Sequence, residues 1–260
     1  MNILDRFRLT GKRLFITGGS RGLGREMVLA CAEAGADVAL VGRDADSLAK
    51  AAADVQALGR AAFIIQADVS KTDECKAACK KALDEFGPID ILINNAGGRR
   101  QNIPTAEMPL ETWRELIDLN LTSVFIATKI LGGAMLARGQ GGRIINVASI
   151  NALVAGKKIG GRHYETAKAG VVQFTRATAA DWAPFGITVN AILPGGFMTE
   201  PNQRWKLLHP EVIDEFLKQI PMGCFGQPED LGPLAVYLAS DASRYMTGAS
   251  LVIDGGYTLW

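Results

Sequence analysis

Residues 12–42 read KRLFITGGSRGLGREMVLACAEAGADVALVG, and the fold class is decided within them. KRLFIT is a short apolar run ending at Thr17, GGSRGLG follows at once, and REMVLACAEA carries apolar residues at helical spacing up to Gly35. DVALVG, ending at Gly42, is a second short apolar run. Strand, glycine turn, helix and strand make one βαβ unit, which requires a parallel pair and a right-handed crossover. The rhythm continues outward with the helix DADSLAKAAADVQAL stopped at Gly59, the strand AAFIIQAD, the helix KTDECKAACKKALDEF and the strand IDILIN. A long helix follows from about Leu110 to Ala137, then the strand RIINVAS ending at Ser149, a helix from about Tyr164, and the strands ITVNAIL and SLVID. Short buried strands alternating with helices of about ten residues or more predict an α/β fold: one doubly wound parallel sheet with helices on both faces.

Composition narrows the class of function. The 260 residues hold no linker, internal repeat or low-complexity segment, so a single domain spanning 1–260 is expected. A chain of this length buries roughly 70% of its unfolded surface and needs no disulfide or metal staple. Twenty-eight basic against 27 acidic residues leave a net charge of +1, which argues against nucleic acid as a partner. The opening MNILDRFRLT is too charged for a secretory signal, and no apolar run reaches the roughly 18 residues of a membrane span. Cys31, Cys75, Cys79 and Cys224 lack metal-ligand spacing, so reduced thiols, no metal site and a cytoplasmic setting are expected.

Two stretches carry chemistry. Thr17-Gly18-Gly19-Ser20-Arg21-Gly22-Leu23-Gly24 lies where the first strand hands over to the first helix. Glycines there admit a pyrophosphate close to the backbone, and the helix start offers unpaired N–H groups and a positive dipole end; a plain tight turn would read the same. The second is Ser149 to Lys168, SINALVAGKKIGGRHYETAK. Tyr164 and Lys168, four apart, share one helix face, where an ammonium would draw the phenol below its usual pKa of about 10. Such a phenol can exchange a proton with an alcohol or carbonyl, and the Ser149 hydroxyl could hold the same oxygen. Alone, a Tyr/Lys pair at this spacing is also what a helix surface shows by chance.

Together these residues resemble the short-chain dehydrogenase/reductase superfamily, a Rossmann-fold family, from Leu14 to about Gly256. Thr17, Gly18, Gly22 and Gly24 match its cofactor loop, Asn94-Asn95-Ala96-Gly97 its segment after strand four, and Asn120, Ser149, Tyr164 and Lys168 its catalytic tetrad. Pro194, Gly195 and Thr199 match the turn holding nicotinamide and phosphates, and Asp68 the acid beside the adenine. The resemblance implies Tyr164 as general acid/base, Lys168 on the nicotinamide ribose, Ser149 orienting the substrate, and Asn120 bending the long helix and holding a relay water. Ser20, Arg21, Leu23, Val69 and Phe197 complete the implied cofactor contacts. Fifteen positions separate Ser149 from Tyr164, more than the family usually has, which leaves the active-site rim open.

Charge argues for the cofactor. Strand two ends at Gly42, where an NAD enzyme would carry an acid, and Arg43 follows, with Arg21 in the glycine loop. Two guanidinium groups suit a 2′-phosphate, so NADP(H) is expected over NAD(H); Asp44 either caps the next helix or reaches the ribose. Arg99, Arg100, Lys157, Lys158, Arg162, His163 and Arg204 border the expected pocket and suit an anionic substrate, or are simply solvated loop charges. Residues 197–221 read as a substrate lid. The family commonly forms homotetramers, in which the apolar end at Trp260 would reach a neighbour. The expected activity is hydride transfer between NADP(H) and a secondary alcohol or ketone, as in sugar-acid and polyol dehydrogenases such as gluconate 5-dehydrogenase. The rivals are 3-oxoacyl-carrier-protein reductase and a non-catalytic dinucleotide sensor.

Overall fold

The computed structural model of the chain describes residues 2–99, 101–156 and 161–259. Seven strands form its centre: β1 Arg13–Thr17, β2 Asp37–Gly42, β3 Ala62–Gln66, β4 Ile91–Asn94, β5 Gly142–Val147, β6 Ile187–Pro194 and β7 Ser250–Ile253. They pair in the order β3-β2-β1-β4-β5-β6-β7, every pair parallel. The principal helices are α1 Gly22–Glu33, α2 Ala45–Ala57, α3 Thr72–Lys81, α4 Leu110–Arg138, α5 Arg162–Trp182, α6 Glu200–Leu208, α7 Pro210–Leu217 and α8 Gly232–Ala239. The doubly wound sheet read from the sequence is therefore the fold.

Strand alternation splits the core into two layers. Leu14, Ile16, Val38, Leu40, Ile91 and Ile93 pack with Met27 and Val28 of α1, Leu48 and Val55 of α2 and Leu238 of α8. Their neighbours Phe15, Ala39, Val41 and Leu92 turn to the other face, against Cys75 and Cys79 of α3 and Ile126, Leu131 and Met135 of α4. Each fully buried aliphatic side chain contributes about 1.5–3 kcal/mol, enough for the periodic pattern to dictate which face each helix covers. Although no apolar run of membrane-spanning length was expected, helix α4 is long and apolar enough to cross a membrane by composition, and more than half of its most apolar stretch is buried inside the structure.

Some boundaries differ from expectation. β5 ends at Val147, two residues before Ser149, because Ser149 turns to cap the short 3-10 turn Ile150–Ala152. Helices α6, α7 and α8 are additional to the elements expected from the sequence; α6 and α7 lie inside the expected lid, and Ile213 and Phe216 of α7 join Ile220, Phe225 and Tyr257 in a satellite cluster. The chain starts at β1, winds out to β3, then crosses to β4, so β1 and β4 lie side by side with their carboxyl ends, Thr17 and Asn94, paired. A crevice opens beyond such a switch point, and the active-site residues gather there.

Candidate active site

Three elements carry the reacting groups to one rim. Helix α5 presents Tyr164 and Lys168 one turn apart, with Lys168 Nζ 5.8 Å from the centre of the Tyr164 ring. Lys168 is buried and donates to the Val147 carbonyl at the end of β5, at 2.8 Å. The Ser149 Oγ accepts from the Asn151 N–H at 3.1 Å, and Ser149 and Tyr164 line the same cleft. Asn120 sits in a π turn, Asp118–Thr122, the local distortion of the long helix that the tetrad implied. Its Oδ1 accepts from Gly98 N at 2.9 Å, and its Nδ2 donates to Gly98 O and Leu116 O, each at 3.0 Å. Between Asn120 and Lys168 runs Gly97: a Cβ there would stand 2.7 Å from Asn120 Oδ1 and 3.0 Å from Lys168 Nζ.

The electrostatics revise one expectation. Burial pushes the Tyr164 phenol above its ordinary value, opposed by the Ser149 hydroxyl and the charge of Arg99. Arg99 lays a second cation against the phenol, its guanidinium carbon 4.8 Å from the ring centre. Lys168, the cation expected from the sequence, is itself pushed down to about 8 by burial. A lysine titrating there is partly neutral near physiological pH, which fits it to pass a proton rather than to stand as a fixed charge.

A cleft of about 820 Å³ runs from these residues along the switch point. Gly18, Ser20, Arg21, Leu23 and Gly24 line one end, Arg43, Asp68 and Val69 the adjoining wall, and Asn95, Ala96, Gly97, Pro194 and Gly195 the passage to Tyr164 and Lys168. Close approach at Gly24 is compulsory: a Cβ would fall 2.1 Å from the Gly18 carbonyl and 2.5 Å from Asn95 Nδ2. Asn95 in turn donates to Thr17 O and Gly18 O at 3.1 and 2.9 Å, locking the β4 loop onto the glycine turn. Gly18 holds φ +67°, and Thr199 lies against Gly22, over the start of α1. The cradle a Cβ would fill, the helix start and the length of the cleft fit an extended dinucleotide. Phe197, expected among the cofactor contacts, is buried, bridges to Gly226 and is not part of the cleft lining. Asp44 caps α2 through the Ser47 N–H at 2.8 Å, and Arg43 Nη1 stands 3.8 Å from Asp68 Oδ2.

The substrate residues expected at the rim fare unevenly. Arg99 reaches Tyr164 and pairs with Glu165 at 3.3 Å. His163 is not a rim residue: it is buried and lines a separate cavity of about 240 Å³ with Trp113 and Met108, because successive helix positions point about 100° apart. Arg204 projects from α6 at 74% exposure, 3.9 Å from Glu200, outside the cleft. Arg100, Lys157, Lys158 and Trp260 lie outside the described residues. Sequence reasoning missed Glu165, a carboxylate beside the Tyr/Lys pair, and the buried chain Asn94–Asn146–Thr175 beneath the rim, with bonds of 2.9 Å at each link. The adjacency of an acid to Tyr164 could have flagged the first; register alone places Asn146 opposite Asn94.

Comparison with known proteins agrees with this geometry. The family model described as enoyl-(acyl carrier protein) reductase matches residues 18–258. Galactitol 2-dehydrogenase (L-tagatose-forming) of Cereibacter sphaeroides is 38% identical over 255 residues, covering 98% of either chain. A 3-oxoacyl-[acyl-carrier-protein] reductase of Synechocystis sp. is 38% identical over 254 residues, 97% of this chain and 99% of that one. The crystal structure of a short-chain type dehydrogenase/reductase from Mycobacterium marinum superimposes with a TM-score of 0.91 at 40% identity, covering 99% of both chains. A gluconate 5-dehydrogenase from Burkholderia cenocepacia J2315, in complex with NADP and tartrate, gives a TM-score of 0.91 at 36% identity over 100% of both.

Proposed function

The chain belongs to the short-chain dehydrogenase/reductase family and is an oxidoreductase, and on that premise we propose that it interconverts a secondary alcohol of a sugar acid or polyol with the matching ketone, using NADP(H). The observation that carries the reading is the meeting of Ser149, Tyr164 and Lys168 at the end of a cleft shaped for a dinucleotide. A bound nicotinamide cofactor supplies the hydride. The residues supply the proton and the geometry. Ser149 holds the substrate oxygen. In reduction Tyr164 donates its phenolic proton to that oxygen, and in oxidation it takes one away. Lys168, beside it and titrating at about 8, exchanges protons near neutrality, and Asn120 fixes the Gly98 backbone at the mouth of the site.

The NADP preference rests on charge. Gly42 ends β2 without an acid, Arg21 and Arg43 line that end of the cleft, and Asp44 is engaged as a helix cap. The Burkholderia relative carries NADP together with tartrate, a hydroxy acid, and the Cereibacter relative acts on a polyol. Residues 197–221 would close over the substrate. The enzyme would assemble as a homotetramer, in keeping with exposed Phe125 on α4, edge-on to Phe174 of α5. Its setting in this reading is the cytoplasm, where the free thiols of Cys31, Cys75 and Cys79 would stay reduced.

A second reading, 3-oxoacyl-carrier-protein reduction, has the equally identical Synechocystis relative in its favour. One assay separates them: aldonates, polyols and 3-hydroxyacyl thioesters are offered with NADP⁺ or NAD⁺, and reduced-nicotinamide absorbance is followed. Turnover of an aldonate or polyol with NADP⁺, lost in Tyr164→Phe while NADPH still binds, is the expected result. Turnover of thioesters alone would transfer the assignment to the second reading.

A further inference from the structure

We propose that Arg99, clamped by Glu165, is a positioning residue that sets the ionisation of Tyr164 before any substrate arrives. The proposal rests on Tyr164 as the acid/base, but it concerns a group outside the tetrad and a contact made by the protein alone. Arg99 leaves the β4 loop and lays its guanidinium over the phenol ring, 4.8 Å from its centre. One nitrogen pairs with Glu165 at 3.3 Å, and another reaches the Gly161 carbonyl at 3.4 Å. Arg99 and Glu165 side chains are only 19% and 12% exposed, so the pair sits where water screens poorly.

Glu165 is a built anchor rather than a surface acid. Its Oε1 also accepts from Arg162 at 2.9 Å and from the Gly156 N–H at 3.3 Å, while its Oε2 is buried with no hydrogen-bond partner among the described residues. Burial alone would push its carboxyl up, yet the charge and hydrogen bond of Arg99, with the Gly156 N–H, hold it below the ordinary value. The Oε1 acceptor holds the guanidinium in place, a contact that the amide oxygen of a glutamine can repeat without the charge. A planar cation fits this post because it can stack on the ring and donate to Glu165 at once; an ammonium can do only one of these well.

The charges facing the phenol give each side chain a sign. Arg99 favours the phenolate and Glu165 opposes it. Lys168 flanks the ring at 5.8 Å but is itself pushed down to about 8. His163, next in sequence, is held below its ordinary value by burial and by Arg99, so at neutral pH and above it adds no cation. Among the described residues, the strongest fixed positive charge on Tyr164 at alkaline pH is thus Arg99.

The test needs neither substrate nor cofactor. The ¹³Cζ resonance of Tyr164, assigned among the chain's four tyrosines by its loss in Tyr164→Phe, reports the phenolate fraction at an alkaline pH where the far-ultraviolet circular dichroism is intact. Arg99→Gln should lower that fraction several-fold, Glu165→Gln should raise it, and Arg99→Lys should fall nearer to the wild type than Arg99→Gln. An Arg99→Gln fraction equal to the wild type, or displacement of the Arg99→Gln and Glu165→Gln variants in the same direction, overturns the proposal. Should Arg99→Gln not fold, Glu165→Gln and Arg99→Lys decide alone: a lowered fraction in the first, or a loss of most of the phenolate in the second, overturns it equally. A silent substrate panel would leave this result untouched.

Discussion

Replacing Lys168 by Met should make the protein more stable at pH 7 while destroying its chemistry. Burial pushes this ammonium from an ordinary 10.5 down to about 8. At 1.36 kcal/mol per pH unit, that gap is worth about 3 kcal/mol against the folded state. The unfolded chain binds the proton with ordinary affinity. Below about pH 8 the folded chain therefore carries the whole cost; between 8 and 10.5 the cost fades as pH rises; above 10.5 both states are neutral and it is gone. Methionine removes the cost but also the hydrogen bond to the Val147 carbonyl, worth about 1 kcal/mol. Lys168→Met should thus gain about 2 kcal/mol at pH 7, roughly 4 °C in Tm for a chain of this size, and lose about 1 kcal/mol near pH 11. Urea titrations of cofactor-free protein at pH 7, 9 and 11 read the difference directly. A variant no more stable than the parent at pH 7, or a difference that does not change with pH, would refute the reasoning. The expected crossover is the cost of holding a proton-transfer group dry.

Two further predictions follow from the cleft. Gly24→Ala would drive a methyl group to within 2.1 Å of the Gly18 carbonyl, so the glycine turn must move. NADPH binding, followed by nicotinamide fluorescence, should be lost, with a fall in stability of about 1–3 kcal/mol; intact binding would show that the turn does not hold the phosphates. Arg43→Asp should weaken NADPH by about 10- to 100-fold, the worth of a charge-assisted hydrogen bond, and leave NADH nearly unchanged. Equal losses with both cofactors would sink the 2′-phosphate argument.

The sequence by itself determined the parallel sheet, the glycine turn at the end of β1 and the helix face shared by Tyr164 and Lys168. These are local signals: alternation along a strand, spacing along a helix, and glycine where the backbone must come close. Tertiary structure decided what those residues meet. Thr17 and Asn95, 78 positions apart, are latched by the pairing of β1 with β4, and Asn94 faces Asn146 only because β4 and β5 align in one register. Arg99 and Arg204 read alike as loop cations, yet one lies over Tyr164 against Glu165 and the other stands in solvent. His163 reads as a neighbour of Tyr164 and faces a different cavity. No pattern within one segment encodes these contacts, because they depend on where distant elements come to rest, and on burial, which sets the charge that each group carries.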